Sequence, residues 1–179
     1  MPVLWMLGHS DRRFPVLADL LQSQDIAHLV DIRAYPASRR HPQFDRLELE
    51  KRLPLRGMRY TWMPQLGGMR APVAGSNLNA AWKEDGLRAY ADHMQTAEFA
   101  AAWEELAQLA QRQRTAAMCA EAKPLSCHRQ ILADAFVARQ WTVQHIVDAT
   151  NRCEHTLSPA AFVNDRLQVS YPGAPQLPF

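Results

Sequence analysis

Short apolar runs alternate with helical stripes along most of this chain, and that alternation constrains the fold more than any other feature. The first run begins at Val3 and stops at Gly8, and apolar residues with helical spacing follow from Phe14. A second run, 28–33, ends in charged residues. The runs predicted as strands are 3–7, 28–33, 59–63, 115–119 and 142–147, and the stripes predicted as helices are 14–21, 44–53, 87–94, 99–110 and 131–136.

The order of these elements predicts an α/β fold. Strands separated by helices pair in parallel, because each helix returns the chain to the same end of the sheet. We therefore expect a mostly parallel sheet of about five strands with helices on both faces, forming a single domain over residues 1–150. Residues 151–179 contain prolines without apolar periodicity, and we expect an irregular tail packed on this domain or extending from it.

Cysteine usage and the lack of long apolar segments bear on the compartment. The 179 residues include three cysteines, an odd number that argues against a set of structural disulfides. No run approaches the roughly 18 apolar residues that a membrane span needs, and the N-terminus lacks the pattern of a secretory signal. The sequence therefore predicts a cytoplasmic protein with reduced thiols and no membrane contact.

Side chains able to accept a backbone N–H bond precede three of the helices. Such residues cap helix N-termini by satisfying amide groups that have no partner within the helix. We expect Ser10 or Asp11 to cap the first helix and Thr96 to cap the helix over 99–110. Ser126 is expected to cap the helix that follows the fourth strand.

Polar residues stand at the ends of the predicted strands. His9 and Ser10 follow the first strand, Arg33 ends the second, and Glu121 follows the fourth. Ligands of parallel sheets bind at the carboxyl ends of the strands, so these residues are expected to form one ligand-binding rim. Ser10 is a candidate for binding an anion there as well as for capping.

Residues 119–129 hold the densest group of reactive side chains. The fourth strand delivers Cys119, and the predicted Ser126 cap places Cys127, His128 and Arg129 in the first turn of the next helix. The partial positive charge of a helix N-terminus favours anions there and increases the reactivity of a thiol. Cys127, and to a lesser degree Cys119, is therefore a candidate reactive thiol.

One interpretation of this segment is acid–base catalysis on a bound anion. Arg129 and the helix N-terminus would hold a phosphate or carboxylate group, while Glu121 with His9 or His128 would transfer protons.

Two other interpretations remain for the same residues. Cys119, Cys127 and His128, with or without His9, have side chains that bind zinc, but their spacing matches no common zinc motif, and we predict no metal and no cofactor. Alternatively, the cysteines are buried packing residues and Glu121 forms an ion pair with an arginine.

Positive charge is concentrated in residues 33–70. This segment contains eight arginines and Lys51, against Asp45, Glu48 and Glu50. Arginine presents a planar set of donors suited to phosphate and carboxylate groups. We expect Arg33 and Arg39 to contribute, with Arg129, to the binding of a small anionic ligand.

Several motifs together resemble those of the bacterial domain-of-unknown-function 488 (DUF488) family. The resemblance extends over about residues 3–150 and is most specific in the last of the motifs. It implies an α/β domain and a cytoplasmic bacterial protein, and it supplies no established reaction. The motifs are Gly8-His9-Ser10, Asp31-Ile-Arg33-Ala-Tyr-Pro36-Ala-Ser38-Arg39, Pro42-Gln43-Phe44, Leu66-Gly67-Gly68, 90–96, and the run from Cys119-Ala-Glu121 to Cys127-His128-Arg129.

Two hypotheses for function follow. The first is an enzyme that acts on a small phosphate-bearing, nucleotide-like substrate by acid–base chemistry of Glu121 and His9, with His128 as a third catalytic candidate. No G-x-G-x-x-G, Walker or G-x-S-x-G motif is present, which disfavours dinucleotide binding and P-loop hydrolysis. The second is a non-catalytic module that binds nucleic acid or another polyanion through the arginines of residues 33–70.

Overall fold

A six-stranded sheet forms the centre of the protein in the computed structural model, which describes residues 1–173. Five helices cover it, and none of the helices in this described part is long and apolar enough to cross a membrane. The strands are β1 Val3–Gly8, β2 His28–Asp31, β3 Arg59–Trp62, β4 Thr115–Cys119, β5 Thr142–Ile146, β6 Arg152–Glu154, β7 Phe162–Val163 and β8 Val169–Ser170. The helices are α1 Phe14–Ser23, α2 Arg46–Arg52, α3 Asp85–His93, α4 Ala97–Arg112 and α5 Arg129–Val137.

The strand order is β3-β2-β4-β1-β5-β6. The first five of these strands pair in parallel, which confirms the predicted α/β fold. The sixth, β6, pairs antiparallel with β5 and lies beyond residue 150, so part of the segment expected to be irregular extends the sheet. Beyond β6, strands β7 and β8 form a separate two-stranded sheet. Residues 174–179 of the expected tail lie outside the described residues.

Alternate side chains of the central strands enter two separate apolar cores. In β1, Leu4 and Met6 pack into the core formed with α3, α4 and α5, whereas Trp5 and Leu7 pack into the core formed with α1 and α2. Successive side chains of a strand point to opposite faces, so one apolar run serves both cores. Burying each large apolar side chain contributes about 1.5–3 kcal/mol, which makes this central run a main source of stability.

The predicted caps of α1 and α4 have different outcomes. The Thr96 hydroxyl accepts a hydrogen bond from the backbone N–H of Phe99 at 3.2 Å, which confirms Thr96 as the cap of α4. The predicted cap of α1 by Ser10 or Asp11 is wrong, because Arg13 occupies the cap position and makes no side-chain capping bond. Ser10 instead has a positive φ of 53° and donates its N–H to the Ala120 carbonyl. This bond holds Ser10 at the end of β1.

The predicted Ser126 cap is also wrong. Pro124–Ser126 form a single turn of 3-10 helix, and α5 begins only at Arg129 with His128 in the cap position. Proline fixes its own φ and favours the first position of a helical turn, so Pro124 starts a separate turn in front of α5. Cys127 therefore lies between the two helical segments and outside the first turn of α5.

The carboxyl ends of three neighbouring strands lie side by side. Gly8 of β1 is in register with Cys119 of β4, and Asp31 of β2 is in register with Met118 of β4. The backbone N–H of His9 continues this pairing by donating to the Cys119 carbonyl at 2.9 Å. The sheet therefore brings the polar residues that follow β1, β2 and β4 to one edge.

Candidate functional site

A cavity of about 430 Å³ opens at the carboxyl ends of β2 and β4. We call it the carboxyl-end cavity. Its volume falls in the range typical of small-molecule sites, and most of its wall is apolar or glycine. The wall is formed by Arg33, Ala34, Tyr35, Gly68, Met69, Glu84, Gly86, Leu87, Cys119, Ala120, Glu121, Ser126, Cys127 and His128.

A buried ion pair connects Arg33 at the cavity wall to the core. The Arg33 guanidinium donates from Nε to Asp31 Oδ1 at 2.8 Å and from Nη2 to Asp31 Oδ2 at 2.6 Å. It also donates to the Phe44 carbonyl at 2.7 Å, and the Tyr60 hydroxyl donates to Asp31 at 2.7 Å. Burial opposes the charged form of Arg33, but its bonds to Asp31 and the charge of Asp31 outweigh burial and raise its pKa. Arg33 is therefore a permanent cation tied firmly to Asp31.

The two ring nitrogens of His9 both have partners. Nδ1 donates to the Ser10 carbonyl at 2.7 Å, which leaves Nε2 unprotonated to accept from Arg33 Nη1 at 3.2 Å. The ring stacks on Phe44 with 4.3 Å between the centroids. These contacts favour a structural role for His9 in orienting Arg33, and the predicted acid–base role gains no support from them.

Buried neutral histidines make the stability of the protein depend on pH. Burial lowers the pKa of His9 to about 4 and that of His145 to about 3. Their ordinary value is about 6.5, so on acidification the unfolded chain binds protons first. We expect the free energy of unfolding to fall below about pH 6.5, by roughly 1.4 kcal/mol per pH unit for each of these histidines. Urea denaturation between about pH 6.5 and pH 5 measures this slope, which His9→Gln should reduce. An unchanged slope in the variant would contradict the assignment.

Gly8 allows the chain after β4 to lie against the end of β1. A Cβ at position 8 would lie 1.7 Å from the Glu121 carbonyl oxygen and 2.5 Å from the Glu121 carbonyl carbon. Both are backbone atoms, so no side-chain rotation relieves the overlap. The cavity wall at Glu121 depends on this glycine.

Replacing Gly8 by alanine should therefore destabilise the protein by about 2–3 kcal/mol through overpacking. Gly86→Ala is the matched control, because Gly86 lies in α3 and a Cβ there would meet nothing within 4 Å. That control should be neutral or stabilise by about 0.5–1 kcal/mol. Thermal unfolding of both variants measures the difference, and equal melting temperatures would show that the Glu121 segment moves freely.

Two cysteines meet at the floor of the cavity. Cys119 ends β4 and Cys127 precedes α5, and their sulfur atoms lie 3.2 Å apart with both thiols free. We call them the thiol pair. His128 Nδ1 lies 3.6 Å from Cys127 Sγ and 3.9 Å from Cys119 Sγ. The His128 ring packs against the Tyr90 ring on one side. It also packs against Gly68, where an added Cβ would lie 2.9 Å from His128 Nδ1.

Arg129 places a buried positive charge close to the thiol pair. It is 1% exposed and donates from Nη2 to the carbonyl oxygens of Glu121 and Ala122. Within residues 1–173 its Nε has no hydrogen-bond partner and its guanidinium forms no ion pair with a carboxylate. A buried cation requires a nearby negative charge, and a thiolate in the pair supplies one.

The contacts of the thiol pair favour one thiolate, on Cys127. The hydrogen bond between the two sulfurs lowers the pKa of Cys127, and His128 and Arg129 act in the same direction against burial. The neighbouring sulfur and burial raise the pKa of Cys119. Of the two sulfurs, Cys127 is the one that these contacts favour as the thiolate.

The same cluster satisfies the distances of a metal site. The candidate ligand atoms of Cys119, Cys127 and His128 all lie within 4.8 Å of one another. Zinc would take a thiolate from each cysteine, and the charge of the metal would then be balanced by its own ligands. Arg129 would be left as an uncompensated buried cation, whereas the single thiolate of the metal-free pair balances it. Charge balance therefore favours thiol chemistry, and the absence of a metal stays a prediction.

A family model described as "Domain of unknown function DUF488" matches residues 14–136. The chain belongs to this family. The match confirms the resemblance seen in the motifs and includes Arg33, the thiol pair and Arg129, while His9 and Ser10 lie outside it. No curated protein and no solved structure matches the chain.

The remaining predicted site residues lie at the edge of the cavity of this DUF488 protein or away from it. Glu121 is an exposed residue of the cavity wall. The Ser10 hydroxyl donates to Asp11 at 3.1 Å, and neither Ser10 nor the exposed Arg39 contributes to the wall. The structure thus brings Arg33, Glu121, His128 and the thiol pair to one cavity. His9 and Arg129 are outside the wall but bond to residues in it, His9 to Arg33 and Arg129 to the Glu121 carbonyl.

Most arginines of residues 33–70 have partners within the fold. Arg46 pairs with Glu50 and stacks over Trp62, and Arg52 stacks over Phe14. Ion pairs also join Arg56 to Asp19 and Arg70 to Glu98. These contacts distribute the positive charge among separate local partners, so they do not favour the continuous basic surface that polyanion binding requires.

A second polar network was not predicted from the sequence. Asp134 Oδ1 accepts from His155 Nε2 at 2.8 Å, and His155 Nδ1 accepts from His145 Nε2 at 3.1 Å. Tyr171 donates to Asp134 Oδ2 at 2.6 Å. The only signal in the sequence is a charged residue, Asp134, within the apolar stripe of α5. The histidines line a second cavity of about 490 Å³ beside β6.

Proposed function

We propose that the protein is an enzyme that attacks a small molecule in the carboxyl-end cavity with the Cys127 thiolate. The observation that carries this proposal is the thiol pair, whose sulfurs lie 3.2 Å apart. The buried Arg129 acts on Cys127 and forms no ion pair with a carboxylate within residues 1–173. A thiolate is the nucleophilic form of cysteine, and a neighbouring fixed cation keeps a cysteine ionised at neutral pH. Cys127 lines the cavity, so its sulfur lies beside the space that a substrate would occupy.

Each neighbour of Cys127 has a part in the proposed reaction. The Cys119 S–H donates to the resting thiolate and stabilises it. When the Cys127 electron pair forms a bond to an electrophilic atom, the displaced group leaves with its own bonding pair and takes up a proton. His128 lies close enough to both sulfurs to supply that proton.

The apolar side chains Tyr35, Met69 and Leu87 provide the contact surface for the substrate. Arg33 is the one arginine in the wall, and it is already paired with Asp31, while Glu84 and Glu121 add two carboxylates. This balance of side-chain charge favours a neutral electrophile over a highly charged anion.

Acyl transfer to Cys127 tests the proposal. With p-nitrophenyl acetate as the probe, the wild-type protein should release p-nitrophenolate and carry an acetyl group on Cys127, located by peptide mass spectrometry. Cys127→Ser should slow this release by at least about 100-fold, because a serine hydroxyl remains protonated at neutral pH. Cys153→Ser is the matched control, since Cys153 is an exposed free cysteine. An acetyl group found mainly on Cys153, or unchanged release by Cys127→Ser, would overturn the proposal.

A small phosphate-bearing substrate, handled by Glu121 and His128, is the second candidate. The observation in its favour is that Arg33 lines the cavity while Nη1 has a single bond, to His9, within the described residues. Inorganic phosphate should then raise the melting temperature of the wild-type protein in a saturable way. Arg33→Lys should remove that rise and Arg52→Lys should not. No rise at millimolar phosphate would dismiss this candidate.

A further inference from the structure

Attack by Cys127 does not require a second thiol in contact with it, yet the two sulfurs of the thiol pair are in contact. Cys119 comes from the end of β4 and Cys127 from the segment before α5, and both are more than nine-tenths buried. Their sulfurs are 3.2 Å apart, while a disulfide bond is about 2 Å long. The two sulfurs are therefore about 1 Å from the separation of a disulfide bond.

We infer that Cys119 is a resolving thiol and that the substrate class is a small disulfide, which the thiol pair reduces. The inference rests on the proposed function, since it begins with attack by Cys127. Both cysteines line the carboxyl-end cavity, so a substrate bonded to Cys127 would lie beside Cys119. Gly86 leaves open space in the cavity wall, because a Cβ there would meet nothing within 4 Å, and this space gives room for a disulfide substituent.

The reaction balances in two exchange steps. The Cys127 thiolate attacks one sulfur of the substrate, forming a mixed disulfide, and the other half leaves as a thiolate that takes up a proton. Cys119 then loses its proton, for which His128 Nδ1 at 3.9 Å is the nearest base in the cluster, and attacks Cys127 Sγ. The second half of the substrate leaves as a thiolate and is protonated. The substrate gains two electrons, and the thiol pair becomes a disulfide that an external thiol must reduce.

Access limits the substrate to small molecules. Both cysteines line a cavity of about 430 Å³, and Cys127 is 4% exposed. So small an exposure favours a disulfide small enough to enter the cavity over one fixed in a folded protein. Cys153 is exposed and separate from the pair, so it serves as an internal comparison.

Hydroxyethyl disulfide, a small neutral probe, tests the inference. The wild-type protein should release both halves of the probe as thiol and gain a Cys119–Cys127 disulfide, identified by peptide mass spectrometry. Cys119→Ser keeps a hydrogen-bond donor but cannot resolve, so it should release one half and stop as a mixed disulfide on Cys127. Cys153→Ser should behave as the wild type.

The outcomes separate this inference from the proposed function. A mixed disulfide that persists on Cys127 in the wild type, with Cys119 still free, would overturn the resolving role and leave the nucleophile in place. Reaction at Cys153 alone would overturn both. If Cys119→Ser fails to fold by circular dichroism, Cys119→Ala replaces it. The wild-type result decides in either case, because its products alone distinguish the two endpoints.

Discussion

Replacing Asp31 by asparagine is expected to lower the free energy of unfolding by about 3–5 kcal/mol, the cost typical of removing one partner of a buried ion pair. Asp31 is fully buried and accepts two bonds from the Arg33 guanidinium. The variant keeps the shape of the side chain but leaves Arg33, which is 5% exposed, without a counter-charge. His9 and Tyr60 are oriented by the same group of bonds, so the loss extends beyond the pair.

Thermal unfolding measures this effect as a fall of about 10 °C in melting temperature. Glu50→Gln is the matched control, since the Arg46–Glu50 pair has side chains 43% and 37% exposed. Exposed pairs contribute about 1 kcal/mol or less. Equal, small effects in the two variants would show that Arg33 is solvated and that the wall of the cavity is open to water.

Arg129→Met is expected to raise the pKa of Cys127 and to slow its alkylation by iodoacetamide by up to about tenfold at about pH 5. Methionine keeps part of the length of the side chain and removes the charge that stabilises the thiolate. A neighbouring cation lowers the pKa of an acidic group by about 1–3 units, so its removal raises that pKa. At a pH below the raised pKa, each further unit lowers the thiolate fraction about tenfold. The rate is followed by mass spectrometry of the peptide that contains Cys127.

Arg139→Met is the matched control, because Arg139 follows the same helix but stacks over Trp103. Its rate of Cys127 alkylation should equal that of the wild type. Circular dichroism identifies loss of structure in Arg129→Met, and alkylation faster than in the wild type would accompany such unfolding. A folded Arg129→Met protein with an unchanged rate would contradict the role given to Arg129.

The arrangement of the sheet follows from local sequence patterns. Runs such as Val3 to Leu7 are apolar on both faces because helices cover both sides, and their order along the chain fixes a parallel sheet. The sixth strand could not be predicted, because Arg152–Glu154 has no apolar face and is held by pairing with β5. Likewise, the cap of α1 fails because Ser10 is held at the end of β1 by the Ala120 carbonyl.

The position of the candidate site was predictable, but the partners of its side chains were not. Strand-end residues identified the edge where Arg33, Glu121 and Cys119 meet. Which partner each side chain takes depends on how the folded backbone orients it, even where the partner is close in sequence. Arg33 is committed to Asp31, and Arg129 turns inward to the Glu121 carbonyl oxygen. The contact between the two sulfurs was not predictable either, because the spacing of Cys119 and Cys127 matches no known motif.

The pH dependence of Cys127 alkylation tests the central claim, that the thiol pair holds a thiolate at neutral pH. The measurement uses the Cys153→Ser protein, so that the pair provides the only thiols. The groups that face or act on Cys127 from the surrounding elements are Cys119, His128, Arg129, Tyr90 and His145. We expect the alkylation rate to rise with an apparent pKa below about 7 and to be already high at about pH 6. A single transition at or above about 8.5, the ordinary value for cysteine, would contradict it.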